Sequence, residues 1–217
     1  MMEAKEYMKK NDKKSLLKIM KKVNQSLYEM SCSMEQFHSK LQVEGFYAFR
    51  HIFNGTMDRV RFPNGLKYEG FEGQDFSYPS VNAGQSPIMN VFDRFFNVQH
   101  IEDNQEFFKK SRTCILPVHQ QFLDDVAQNP NVKTFIESSG DEELASMYKE
   151  GIRRFGILRK IHFYIVKKYI FDVMENKKIE RKTLARGERD PELLLKTICD
   201  SVESTELKIA KKIRENQ

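Results

Sequence analysis

His162 is the residue of this 217-residue chain whose surroundings point most directly to chemistry. It lies within GIRRFGILRKIHFYIVKKYIFDVM (151–174), where Phe155, Leu158, His162, Ile165 and Tyr169 recur at steps of three, four, three and four. On a helix that spacing stacks them along one face. Ile157, Ile161 and Tyr164 widen the stripe, which predicts a helix enclosed on more than one side. Arg153, Arg154, Lys160, Lys167 and Lys168 fall mainly outside the seam. An imidazole in such a stripe needs a partner. It is either hydrogen-bonded to a carbonyl, as most buried polar groups are, or a ligand to a metal or haem iron. Spacing leaves both readings open. The other histidines compete less well. His38 neighbours another apolar stripe, His51 follows Arg50, and His100 sits at a helix end. His119, in a first turn after Pro117, ranks second. Arg159 is almost one turn before His162 and can reach the edge of a macrocycle bound there.

The elements that must hold these groups read as helices. Leu16, Met20, Val23, Leu27, Met30, Met34, Phe37 and Leu41 alternate steps of four and three, predicting one amphipathic helix about 40 Å long, capped by Asp12 or Ser15. Further helices are expected at 44–54, 87–98, 104–111, 117–128 and 131–139, the last stopped by Gly140. Asp141 with Glu142 and Glu143 opens the helix that carries His162 and runs to about Glu175. A basic linker (176–189) leads to Asp190-Pro191, an N-cap and first-turn pair for a final helix bearing Leu194, Ile198, Val202 and Ile209. Between 56 and 86 the periodicity dissolves among six glycines and prolines and several aromatics. A stretch of that length is expected to lie against the bundle and border a pocket. The pattern contains no convincing strand or internal repeat. The fold class is all-α, a helical bundle with one long glycine- and aromatic-rich loop. One domain (1–217) is expected, with a long helical region at 1–43 and a bundle at 44–213.

Composition narrows the function. Hydrophobic residues at 40% and aromatics at 12% argue against disorder. No run approaches the roughly 18 apolar residues that span a bilayer, and the N-terminus has no apolar core for a signal peptide. No membrane role is expected. Three widely separated cysteines (Cys32, Cys114, Cys199) fit a reducing, cytoplasmic setting. The net charge of +5 is local: residues 1–22 hold eight lysines against Glu3, Glu6 and Asp12, and the remainder balances. That reads as a solvated helix start, not a nucleic-acid face.

LRKIHFYIVKKYI resembles the proximal-histidine helix of the indoleamine 2,3-dioxygenase family. So do FYAFRHIFNG (46–55), NGLKYEGF (64–71), NAGQSPIMNVFD (82–93) and LPVHQQFL (116–123), in the family's order and near its spacing. The match covers about 45–207 and the family's large helical domain alone. It implies haem b (iron protoporphyrin IX) with His162 as the axial ligand, and an activity that inserts both atoms of O2 across the C2–C3 bond of an indole-type small molecule. It implies Arg159 at a haem propionate, paired with Asp93; the alternative is an exposed pair worth about 0–1 kcal/mol. Arg50 aligns with the arginine that grips a substrate carboxylate, and Phe46 could stack on the indole; otherwise Arg50 caps a helix and Phe46 is core. Asn82, Ala83 and Gly84 match a small-residue loop over the distal haem face, where room is left for oxygen and substrate. No residue is assigned as acid or base, because the cofactor carries the difficult step.

The sequence departs from the family in four places. No counterpart of the small N-terminal domain that roofs the family's distal pocket is expected within these residues. Gly45 stands where a second pocket phenylalanine is expected, and Asn82 replaces a serine. Residues 187–191 replace a glycine- and threonine-rich closing loop with a shorter, charged one. Two further readings therefore accompany the dioxygenase: a haem protein that binds oxygen, senses gas or carries haem without oxidation, and a helical scaffold without haem. A homodimer is expected to cover the distal face, with the N-terminal helices as a lid.

Overall fold

The computed structural model describes residues 1–50, 64–76, 83–128, 130–178 and 190–207. Eleven α-helices are described: α1 (Met2–Lys9), α2 (Lys13–Glu35), α3 (Phe37–Lys40), α4 (Val43–Arg50), α5 (Pro87–Phe95), α6 (Glu102–Arg112), α7 (Pro117–Ala127), α8 (Val132–Ser139), α9 (Glu142–Val166), α10 (Asp172–Asn176) and α11 (Pro191–Glu203). A 3-10 turn (Ala83–Gln85) precedes α5, and a π turn (Lys167–Phe171) joins α9 to α10. Among the described residues the sole β pairing is an isolated antiparallel bridge, Leu66 to Phe76.

Local chemistry starts these helices where the sequence indicates. Asp12, Asn131, Asp141 and Asp190 each accept a backbone N–H of the following first turn at 2.9–3.0 Å. Each cap satisfies an orphan donor. Gly140 ends α8 in the left-handed conformation, φ +61°. The long N-terminal stripe is split: α2 stops at Glu35, and α3 is a separate short turn.

The core forms where α2 lies along α9. Leu16, Met20 and Leu27 from α2 meet Leu144, Tyr148 and Phe155 from α9, all at 1% exposure or less. Fully burying side chains of this size contributes about 1.5–3 kcal/mol each. The helices approach closely at Gly151, where a Cβ would stand 2.7 Å from Asn24 Oδ1 and from the Phe96 ring. Asn24 Nδ2 donates to the Met147 carbonyl at 3.0 Å, tying an α2 side chain to the α9 backbone. A second cluster (Tyr47, Ile170, Phe171, Val173, Met174) joins α4 to the π turn and α10.

Three expectations are corrected. Residues 1–22 are not merely a solvated helix start. Ala4 and Met8 are buried in the main core, and Lys5 Nζ donates to the Asp125 carbonyl in the last turn of α7. The stripe on α9 is narrower than the apolar residues indicate, because Ile157 is 39% and Tyr164 57% exposed. Within 64–76, Tyr68 and Phe71 are also exposed and pack edge-on against Phe76, so this piece of the long loop folds on itself.

Candidate functional site

α9 fixes the centre of the site. Phe155, Leu158 and Ile165 face the interior, and this holds His162 on the same seam, half-buried. Burial foremost, and then the neighbouring Arg159 guanidinium, push the His162 pKa down to about 4. The ring is therefore neutral at physiological pH, as a metal ligand must be. Among the described residues no hydrogen bond engages it, so the bonded-carbonyl reading has no partner here. The rivals are placed otherwise. His119 and His38 are exposed, and His38 lies tilted against Tyr169. His51 lies outside the described residues.

One turn back, Arg159 is buried and its Nη2 donates to Asp93 Oδ2 on α5. Their side chains are 6% and 9% exposed, so the pair is internal and the exposed-pair alternative is excluded. The guanidinium also sits over the Phe155 ring, 5.0 Å from its centroid. Arg159 Nε is buried without an acceptor. A buried cation with an unused donor beside a neutral imidazole is a setting for an anionic acceptor.

The other expected residues lie on neighbouring elements. Ala83 and Gly84 form the 3-10 turn at the start of α5. Asn90 Nδ2 holds that turn by donating to the Gly84 and Ser86 carbonyls at 3.1 and 2.8 Å. A Cβ on Gly84 would meet the Phe107 ring at 2.7 Å and Ser111 Oγ at 2.8 Å. Packing on α6 therefore already requires the small residue. Asn82 lies outside the described residues, as does the charged 187–189 segment.

α4 meets the α9 axis downstream of His162, at the π turn and α10. There Phe46 is edge-on to Phe37 and Tyr169, at 5.3 and 5.5 Å, and the Tyr169 hydroxyl donates to the Phe37 and Leu41 carbonyls at 3.1 Å each. Arg50 ends α4 half-buried, and burial lowers its pKa. A side chain at Gly45 would meet open space.

Periodicity did not reveal His100. Its side chain is 7% exposed, and Nε2 stands 3.2 Å from Asp93 Oδ1 without hydrogen-bond alignment. It follows α5 in an irregular stretch, where no repeat marks a buried face. The π turn was equally unforeseen, although the apolar cluster of Tyr169, Ile170, Phe171, Val173 and Met174 breaks the three-four spacing and marks it.

A single neutral imidazole on a helix stands one turn from a buried arginine–aspartate pair. Among the described residues no group of three or more His, Cys, Asp or Glu could hold a metal ion. The family model for indoleamine 2,3-dioxygenase matches residues 1–213, and the chain belongs to that family. It is 28% identical over 160 residues to human indoleamine 2,3-dioxygenase 2, covering 73% of this chain and 39% of that protein. It is 26% identical over 170 residues to mouse indoleamine 2,3-dioxygenase 1, covering 73% and 42%. To Penicillium citrinum indoleamine 2,3-dioxygenase qulI it is 28% identical over 146 residues, covering 63% and 32%. The matched part thus spans about two-fifths of the mammalian relatives' length.

Proposed function

We propose that this chain is a haem-dependent dioxygenase of the indoleamine/tryptophan 2,3-dioxygenase type, acting on an indole-type small molecule and O2. The observation that carries the reading is the His162 ring, neutral and free of hydrogen bonds, one turn from the buried Arg159–Asp93 pair. The residues fit haem b. His162 would hold the iron through its ring nitrogen, and Arg159 would offer its unused Nε to a propionate while Asp93 fixes the guanidinium. When bound, the group supplies the oxygen chemistry at the indole C2–C3 bond.

The chain's own residues bind and orient. Arg50, with its lowered pKa, remains a cation and takes the substrate carboxylate; Phe46 forms an aromatic wall beside it. Asn82, Ala83 and Gly84 would leave room for oxygen and substrate beside the bound group. No acid or base is required of the protein. Among the described residues no helix is long and apolar enough to cross a membrane. Cys32, Cys114 and Cys199 are free thiols, in keeping with a reducing, cytoplasmic setting. A second copy over the distal face would complete the enclosure.

Haem binding without oxidation is the second reading. Phe46 is committed to the Phe37–Tyr169 cluster, and beside it Gly45 offers no second aromatic. The two readings separate on turnover. Haem-loaded protein, reductant, O2 and L-tryptophan or another indole should yield a product absorbing like N-formylkynurenine. A stable haem complex that consumes no indole would leave the second reading standing.

A further inference from the structure

α5, α6 and α7 enclose a cleft of about 360 Å³ on the side of Asp93 that faces away from Arg159. That volume is within the range of small-molecule sites. Its walls carry Arg94, Lys109 and Arg112, together with His100, Phe108 and Leu123. The positive charge there is under-compensated. Asp93 already answers Arg159, and Asp124 serves two arginines: Arg112 Nη2 donates to it, while Arg94 Nη1 reaches it only at 3.9 Å. Burial first, then the Arg112 guanidinium, lowers the pKa of Arg94, as expected for crowded cations. His100 adds an independent sign of a ligand. Its side chain is 7% exposed; Nε2 faces Asp93 Oδ1 at 3.2 Å, which leaves Nδ1 as the buried ring nitrogen with no hydrogen-bond partner. Unsatisfied buried polar atoms are costly unless something else meets them.

We infer that this cleft binds a small organic acid, its carboxylate held by Arg94, Lys109 and His100 and its compact apolar body set against Phe108 and Leu123. The charge selects an anion, because each acid within reach is already engaged by an arginine. The apolar wall selects an organic one: the Phe108 ring lies 4.9 Å from the His100 ring, so a flat body can lie beside both while its carboxylate meets the cations. The site lies on different elements from Arg50 and from His162, and it does not depend on the haem reading.

Benzoate serves as the probe, titrated calorimetrically into the purified whole chain. The His100 ring is followed in parallel by NMR of histidine-labelled protein, its signals identified by their loss in His100→Gln. One-to-one binding in the millimolar range or tighter is expected, with the His100 signals moving along the same isotherm. Arg94→Gln should weaken it about tenfold, and Lys109→Gln, an exposed change that leaves packing alone, several-fold. Lys149→Gln, on the exposed side of α9, should leave it unchanged. Should Arg94→Gln fail to fold, Lys109→Gln decides alone. Absence of binding, His100 signals that stay still, or affinity indifferent to Lys109→Gln would overturn the assignment. So would inorganic phosphate or chloride binding as tightly as benzoate, which would mark an adventitious ion only.

Discussion

Asp93 offers its two carboxylate oxygens to two different neighbours: Oδ2 accepts from Arg159 on α9, and Oδ1 stands 3.2 Å from His100 Nε2. One buried acid thus borders both the His162 region and the α5–α7 cleft. Removing one partner of a buried ion pair strands the other, at a cost of about 3–5 kcal/mol. Asp93→Asn should therefore lower unfolding stability in denaturant by about that much. The double change Asp93→Leu with Arg159→Met should recover a large part of the loss. A loss below about 1 kcal/mol for Asp93→Asn is the value of an exposed pair and would contradict the burial described here.

Gly151 and Gly156 occupy one helix but make opposite demands. A methyl at 151 has Asn24 Oδ1 and the Phe96 ring at 2.7 Å, whereas at 156 it meets Glu203 Cγ at 3.8 Å and Val202 Cγ1 at 4.0 Å. Gly156→Ala should raise stability by about 0.5–1 kcal/mol, the ordinary helix preference. Gly151→Ala should lower it by about 1–3 kcal/mol through overpacking. Thermal midpoints moving in the same direction would mean that α2 and α9 are not packed as described.

The N-terminal segment offers a test of core against lid. Met8 is 5% exposed in the main cluster. Met8→Ala should cost about 2–4 kcal/mol in a denaturant titration. A lid would tolerate that truncation without a measurable change in stability.

Acid should weaken the protein partly through Glu150. Bonds from Arg153 hold its pKa down to about 2, with Arg154 adding to the effect against partial burial. A depressed carboxylate pKa stabilises the fold fully above the unfolded value of about 4.5, and that contribution is lost as pH falls through about 2. Thermal midpoints of wild type and Glu150→Gln should converge across that window. A gap that stayed constant from pH 6 to about 2 would remove Glu150 from the acid response.

Legibility in the sequence followed the range of the interaction. Caps at Asp12, Asp141 and Asp190 are contacts between near neighbours, so residue type and spacing reveal them. The inward face of α9 is likewise a period of one helix. What failed depended on which other helix arrives. Ile157 and Tyr164 fit the stripe as Ile165 does, but no described element covers them, and they remain exposed. α1 looks like a charged tail until α2 and α8 pack around Ala4 and Met8 and Lys5 reaches α7. The family blocks mark Phe46 and Gly84 as pocket residues, and their packing against Tyr169 and Phe107 depends on elements elsewhere in the chain. His100 carried no pattern at all, because its burial follows from the α5–α6 connection folding back on Asp93.

The central claim is that His162 is an axial ligand. The most direct measurement is the visible spectrum of the purified chain reconstituted with iron protoporphyrin IX, for wild type and for His162→Ala folded to the same circular dichroism. The wild type should give the sharp Soret band and ligand-field bands of histidine-ligated haem, and the variant should lose them until free imidazole restores them. Identical spectra from both proteins, or a wild type that stays colourless, would contradict it.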